Sequence, residues 1–321
     1  MAGYEFSVIV ITYNPIWEKV KLTLDAILGQ KFEDYEIVVA DDGSENDVFD
    51  KIEQYFSDNS FTRYTFVKNE VNQGTVKNLI SGLEASKGRF IRMFGPGDLF
   101  YDESSLGKVH DFMVKHNCEG CFGLMKGYYI NEQGEVITRP YTFPFDLRCY
   151  RKEDDYGVTK NLVLYADNVS GASMCLKREY MNEYLGRIRG NVKYLEDVFQ
   201  VMAALDGRRL HFFDDYLIWY EDNVGISTSK NTGFRKLLRK DNDTFYNMVF
   251  SEYSENKLVK KRKGLSSIYK INNPYIRMMV SAFKNPGVVI WLFKHYADVF
   301  RHCYDKDGTK GFMDMYKKGE G

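Results

Sequence analysis

Glu36-Ile37-Val38-Val39-Ala40-Asp41-Asp42-Gly43-Ser44 decides the fold. Its first half is a short apolar run rich in β-branched residues, the pattern of a buried strand. Its second half is acidic, then Gly, then Ser, which is turn chemistry. A strand that ends in carboxylates sets them at the carboxyl edge of a parallel sheet, where open α/β sheets bind ligands. The preceding stretch has the same layout. Phe6-Ser7-Val8-Ile9-Val10-Ile11 reads as a strand and Thr12-Tyr13-Asn14-Pro15 as its polar stop. Between the two, Val20, Leu24, Ile27 and Leu28 fall at helical spacing within Trp17 to Leu28. Strand, helix, strand is a βαβ unit, so the two strands are expected to be parallel neighbours.

The pattern continues downstream. A helix is expected over Val48 to Phe56 and a third strand at Tyr64-Thr65-Phe66-Val67. After the polar turn Asn69 to Gly74, the spacing of Val76, Leu79, Ile80 and Leu83 predicts a helix from Thr75 to Ala85. Gly88 suits its C-terminal cap. Phe90-Ile91-Arg92-Met93-Phe94 is a fourth strand, broken by Gly95-Pro96-Gly97-Asp98. Four strands interleaved with helices predict a doubly wound α/β sheet. Further on, Gly120 to Ile130 reads as a strand, Arg139 to Gly157 as a long loop, and Val169 to Leu176 as a small-residue strand open to close backbone approach. Leu210 to Phe213 and Leu217 to Tyr220 read as two late strands. From Phe234 onward the texture is helical, basic and amphipathic, which sets a domain boundary near 230: residues 1–229 for the ligand-binding and catalytic domain, 230–321 for a helical C-terminal region.

Composition narrows the function. The 321 residues carry a net charge of −1, which argues against a dedicated nucleic-acid binder. Aromatic residues make up 16%, enough for stacking platforms as well as core. Five scattered cysteines imply no disulfide framework. Cys118 and Cys121, with His116 beside them, look like half a zinc site without a second pair, so a structural role ranks first. The N-terminus has neither the basic start nor the apolar core of a signal peptide, and no apolar run approaches the ~20 residues that span a bilayer. The expected location is cytoplasmic.

Several polar residues stand at strand ends. Asp42 could accept the imide N–H of a base or a ribose hydroxyl, or simply bond its own turn. Tyr13 could stack on a base or pack in the core. Asp98 follows a Gly-Pro-Gly stretch with room for a diphosphate and a cation, and a hard cation needs few protein carboxylates when phosphate and water supply the rest. Alone, Asp98 is equally a turn residue. Glu196-Asp197 opens a helix, where acidic residues answer the helix dipole, or where one of them serves as a general base.

Together these pieces resemble the inverting family 2 glycosyltransferases of the GT-A fold, of the bacterial cell-surface polysaccharide type, over residues 5–228. The resemblance is carried by Ser7 to Asn14, Tyr35 to Ser44, Asn72-Gln73-Gly74-Thr75-Val76-Lys77-Asn78, Gly88 to Ile91, Gly171-Ala172-Ser173 and Glu196-Asp197. It implies a Rossmann-like, mostly parallel sheet flanked by helices, with a C-terminal helical extension. It implies that Thr12, Tyr13 and Asp42 hold the base and ribose, with Lys77 near the base or diphosphate. Asp98 matches the last acid of the Asp-x-Asp metal motif, for Mg2+ or Mn2+. Asp197 matches the catalytic base and Glu196 its neighbour. The implied reaction moves a sugar, preferably from a UDP-sugar, to a hydroxyl of a glycan or polyprenyl-linked acceptor. One departure stands out: Gly95 and Gly97 occupy positions that are usually acidic in the family. They motivate an alternative, a non-catalytic nucleotide-sugar-binding partner of a synthase. A nucleotidyltransferase would ordinarily need a Gly-rich basic loop after the first strand, which Thr12-Tyr13-Asn14-Pro15 does not offer.

The C-terminal region carries the basic cluster Lys257 to Lys263, then apolar Tyr275, Ile276, Met278, Met279, Val280 and Phe283, and Val288 to Phe293 after Pro286-Gly287. This suits a helix lying on the inner face of a membrane, with Trp291 and Tyr296 at headgroup depth. It equally suits a helix packed on the catalytic domain with a solvated basic face.

Overall fold

The computed structural model describes residues 3–139, 143–222, 232–269, 271 and 273–293. Strands β1 (Phe6–Thr12), β2 (Tyr35–Asp41), β3 (Tyr64–Lys68) and β4 (Phe90–Phe94) lie parallel in the order β3-β2-β1-β4. Their connections are helices α1 (Trp17–Leu28), α2 (Phe49–Asp58) and α3 (Thr75–Ala85). The β1–β2 register pairs Thr12 with Asp41, so both strands stop at one edge. Successive residues face opposite layers: Ile9, Val38 and Ala40 enter one core cluster, while Val8, Val10, Ile37 and Val39 enter the other. Helices cover both faces, which is why β1, β2 and β4 are mostly apolar rather than alternating, with buried Ser7, Glu36 and Arg92 as exceptions within them. Each buried Val or Ile in these strands contributes roughly 1.5–3 kcal/mol of burial.

Beyond β4 the sheet becomes mixed. Strand β5 (Leu99–Phe100) is followed by α4 (Ser105–His116), β6 (Gly120–Ile130) and β7 (Val136–Arg139). Strand β8 (Met174–Lys177) runs antiparallel between β4 and β6, and β9 (His211–Glu221) lies parallel to β6. Because β8 is reversed, its start lies at the edge where β1, β2 and β4 end. The end of β9 lies at that edge too.

Several expectations are corrected. The segment expected as a loop from Arg139 to Gly157 contains α5 (Arg148–Arg151) and the start of α6 (Asp155–Lys160), anchored by buried Leu147, Cys149 and Tyr150. The two late strands are one long strand, β9, carried through register shifts against β6 near Gly123 to Met125. The small-residue stretch forms a 3-10 turn at Gly171–Ser173 before β8. Gly88 is not a helix cap, a role that falls to Ser86. A Cβ on Gly88 would stand 2.2 Å from Ser7 N, and its own N–H donates to Ser7 Oγ at 2.7 Å. The glycine is required by close approach to β1.

Helix α7 (Arg178–Ile188) and α8 (Phe199–Leu205) complete the layer over β8. In the C-terminal region, α9 (Thr232–Glu252) adds Phe245, Tyr246 and Val249, and α10 (Lys257–Gly264) adds Leu258 and Val259, to the core cluster that holds Ile9 and Val38. The break in sequence texture near 230 therefore precedes two helices that share the core of the preceding residues. Short helix α11 (Ser266–Tyr269) leads to α12 (Pro274–Lys284), which Asn273 caps by accepting from the N–H groups of Tyr275 and Ile276.

Candidate active site

The carboxyl edge gathers the residues singled out in the sequence, in different states. Thr12 is only 3% exposed and donates to Asp41 Oδ2 at 2.8 Å. Asp41 also accepts from Ser44 N and Ser44 Oγ, at 2.7 and 2.6 Å. The Thr12 side chain is thus committed inward and braces the β1 and β2 ends. Tyr13 is 53% exposed, which leaves its ring free as a platform. Asp42 accepts from Gln73 N at 2.9 Å and Asn69 Nδ2 at 3.1 Å on one oxygen, and from Gly74 N at 2.7 Å on the other. The carboxylate therefore anchors the entry to α3, meeting N–H groups that a helix start would otherwise leave open. Asn78, missed as a site residue, ties the β1 and β2 ends by donating to Ala40 O at 2.9 Å and Thr12 O at 3.4 Å. Lys77 is half-buried and donates to Gln73 Oε1 at 3.2 Å.

The second half of the site surrounds Gly171. Asp197 and Glu196 form a 3-10 turn that leads into α8. Gly171 N donates to Asp197 Oδ2 at 3.4 Å. A Cβ on Gly171 would lie 2.8 Å from Glu196 Oε1 and 3.4 Å from Asp197 Cβ, so the glycine admits both acids to the strand edge. The pair borders a small apolar cavity lined by Leu79, Met93, Met174 and Phe199. Apolar surroundings disfavour ionised carboxyls. Burial pushes Asp197 up to about 6, against the opposing Gly171 N–H. Burial, then the neighbouring Asp197 charge, pushes Glu196 up to about 8. The turn itself is held from outside: Asp241 Oδ2, on α9, accepts from Lys193 N at 3.0 Å and Tyr194 N at 2.6 Å.

Asp98 is buried and accepts from Gly95 N at 3.3 Å and Glu221 N at 3.2 Å. Burial raises it to about 7. Thr23 of α1 pins the loop, donating to Asp98 O at 3.0 Å and accepting from Gly97 N at 2.9 Å. The Tyr128 hydroxyl donates to Gly97 O. Among the described residues no group of three or more Cys, His, Asp or Glu gathers as a metal cluster. A hard cation shared with phosphate needs fewer protein ligands than that. One observation fits it: Glu221 Oε2, beside this loop, is buried and has no hydrogen-bond partner among the described residues. Cys121 and Cys175 face each other across β6 and β8, and together with Cys118 they are buried.

The residues missed in the sequence are Glu221, Lys19, Thr23, Asn78 and Asp241. Glu221 carried the signal that marked Asp42, an apolar run ending in two acids. The others act through hydrogen bonds that only the fold reveals.

The carboxyl edge of the parallel strands thus carries a Gly-rich loop with one buried acid and, apart from it, an acid pair, in the place where α/β enzymes of this layout bind ligands. The description of Glycosyl transferase family 2 matches residues 7–174, just over half of the chain, and the chain belongs to that family of glycosyltransferases. It is 25% identical over 310 residues to the "GalNAc(5)-diNAcBac-PP-undecaprenol beta-1,3-glucosyltransferase" of Campylobacter jejuni, covering 86% of this chain and 92% of that one. It is 28% identical over 236 residues to the "UDP-Glc:alpha-D-GlcNAc-diphosphoundecaprenol beta-1,3-glucosyltransferase WfaP" of Escherichia coli, covering 74% and 84%. Two solved structures share the GT-A fold. The mannosyltransferase PcManGT of Pyrobaculum calidifontis, in complex with GDP-Man and Mn2+, has a TM-score of 0.54 at 14% identity over 99% of this chain and 87% of its own. S. aureus TarS 1-349 in complex with UDP-GlcNAc has a TM-score of 0.52 at 19% identity, covering 76% and 67%.

Proposed function

We propose that this glycosyltransferase moves a sugar, with inversion, from a UDP-sugar to a hydroxyl of a polyprenyl-diphosphate-linked glycan in surface polysaccharide synthesis, at the inner face of a membrane. The observation that carries it is the acid pair at Gly171. Asp197 has a titration position near neutrality, the range in which a general base is most effective. It takes the proton of the acceptor hydroxyl, and the oxygen attacks the anomeric carbon from the face opposite the diphosphate. Glu196, the more strongly raised of the two, keeps its proton and leaves a single negative charge at the base.

The donor is read from both halves of the edge. Tyr13 offers the base a ring face. Asp42 shapes the Gln73-Gly74 turn beside it; its Oδ1 already accepts from Gln73 and Asn69, and its Oδ2, which accepts only from Gly74 N, keeps acceptor capacity for the base or a ribose hydroxyl. Lys77 lies one helical turn further. Asp98 would hold a divalent cation, Mg2+ or Mn2+, which when bound neutralises charge growing on the departing diphosphate. The acceptor class rests on the two relatives named for undecaprenol-linked substrates.

The experiment is product analysis with UDP-glucose and an undecaprenyl-diphosphate-linked acceptor. The expected products are UDP and an extended glycan with β linkage. Binding of the donor with no release of UDP would favour the non-catalytic reading that Gly95 and Gly97 motivate. Pyrophosphate as product would overturn both.

A further inference from the structure

We propose that Glu221, from the end of β9, supplies the carboxylate that this chain lacks at Gly97, and that Glu221 and Asp98 together take a divalent cation. The proposal rests on the nucleotide-sugar reading only for the diphosphate that the cation would face.

The loop after β4 carries one acid, Asp98, beside Gly95 and Gly97. The Glu221 carboxyl group fills the space where a Gly97 side chain would stand. A Cβ on Gly97 would lie 2.0 Å from Glu221 Oε2 and 3.0 Å from its carboxyl carbon. Gly97 has φ +100°, so a side chain there is disfavoured by the backbone as well as by Glu221. The main chain fixes the arrangement. Glu221 N donates to Asp98 Oδ1, which locks the end of β9 to the loop, while Thr23 and Tyr128 hold the Gly97 peptide from both sides.

The two oxygens of Glu221 differ. Oε1 accepts from Lys19 Nζ at 2.7 Å. Oε2 is buried and has no partner among the described residues. A buried acceptor without a donor is costly and calls for an explanation. Lys19 answers half of the charge and leaves the second oxygen pointing over Gly97. A hard cation accepts such an oxygen readily, with phosphate oxygens and water completing its shell. An acid on a strand end also substitutes for one on a loop without moving the site, because β9 and β4 finish at the same sheet edge.

Mn2+ binding to the full chain, followed by loss of the free-ion electron paramagnetic signal, tests the proposal directly. The wild type is expected to take up one Mn2+. Glu221→Gln, which keeps the shape, and Asp98→Asn are each expected to weaken uptake by at least about tenfold, the scale seen when a metal site loses a supporting group. Glu221→Asp retains the charge but withdraws it by one methylene, and should also weaken uptake. Lys19→Met, which frees Oε1, should leave uptake intact. Wild-type uptake by Glu221→Gln, or none by the wild type, overturns the proposal. Parallel calorimetry with UDP separates the two readings. UDP binding that is indifferent to Mn2+ but lost in Lys19→Met would make the Lys19 ammonium the cation of the site and end the metal proposal alone. Glu221-dependent Mn2+ uptake by a chain that never binds UDP would support the cation site and end the nucleotide reading.

Discussion

At the scale of single residues, burial raises both Glu196 and Asp197, and the Asp197 charge raises Glu196 further, because two adjacent carboxyls beside an apolar cavity cannot both ionise cheaply. Asp197→Asn should lower kcat by roughly 10²–10⁴ while UDP affinity stays near the wild-type value, since the amide keeps the shape but accepts no proton. Steady-state kinetics beside calorimetry checks both halves, and near-normal turnover would remove Asp197 from the mechanism. The wild-type rate should rise with pH through about 6 as Asp197 ionises. Stability should move the other way. Both acids bind protons more tightly folded than unfolded, so the fold loses stability as pH climbs from the ordinary carboxyl range, about 4, through the raised values. Glu196→Gln should therefore flatten the fall of Tm between about pH 5 and 8. An unchanged slope would place the carboxyl in water. Asp42 makes a different claim. Asp42→Ala leaves Gln73 N and Gly74 N without their acceptor, so it should cost roughly 1–3 kcal/mol of stability as well as weaken nucleotide binding. Loss of affinity with an unchanged denaturation midpoint would mean that the carboxylate serves the ligand alone.

At the scale of elements, the turn that carries the acid pair is tied to α9. Asp241 of α9 accepts the N–H groups of Lys193 and Tyr194, two residues ahead of Glu196. Asp241→Ala should cost roughly 1–3 kcal/mol in stability and lower kcat more than it raises the donor KM, because the turn loosens while the base-binding edge is untouched. Equal kcat with a lower Tm would confine Asp241 to the fold. The sequence made β1, β2 and β4 legible because each is buried on both faces and bounded by turn chemistry, as in Ile37 to Ser44, and β3, a half-buried edge strand, by its β-branched and aromatic run. It also placed Asp98 and Asp197 at strand and helix ends. It did not yield β5, two residues long, or the continuity of β9, which survives polar Asp214 and Asp215 through a register shift against β6. Nor could it separate Thr12 and Tyr13: adjacent residues at one strand end, one turned inward to Asp41 and one left exposed. Side-chain direction at the last residue of a strand depends on its partners, and those partners lie 29 residues away.

At the scale of the whole molecule, the proposed lipid-linked acceptor raises the question of which face of the chain would meet a membrane. None of the helices among the described residues is long and apolar enough to cross a membrane. Lys257, Lys260, Lys261 and Lys263 are exposed on α10, while Arg262 turns inward onto the Tyr246 ring at 4.3 Å. On α12, Tyr275, Ile276, Met279 and Phe283 are exposed at helical spacing, Phe283 to 89%. Trp291 corrects the expectation of a headgroup anchor: it is buried and stacks on Tyr165 with ring centroids 5.2 Å apart. Tyr296 lies outside the described residues. Trp291→Ala should therefore lower Tm, with little effect on vesicle binding. The four lysines near an anionic surface contribute about 1 kcal/mol each, and the apolar face of α12 adds buried area. Flotation with phosphatidylglycerol-rich vesicles at low salt should carry the full chain upward, and raised salt should weaken that binding by screening the lysines. Met279→Asp with Phe283→Asp should weaken it further while the fold persists, because neither side chain enters the described core. A chain that stays unbound at low salt would end the membrane reading. Binding unaffected by the double substitution would move the contact to another face.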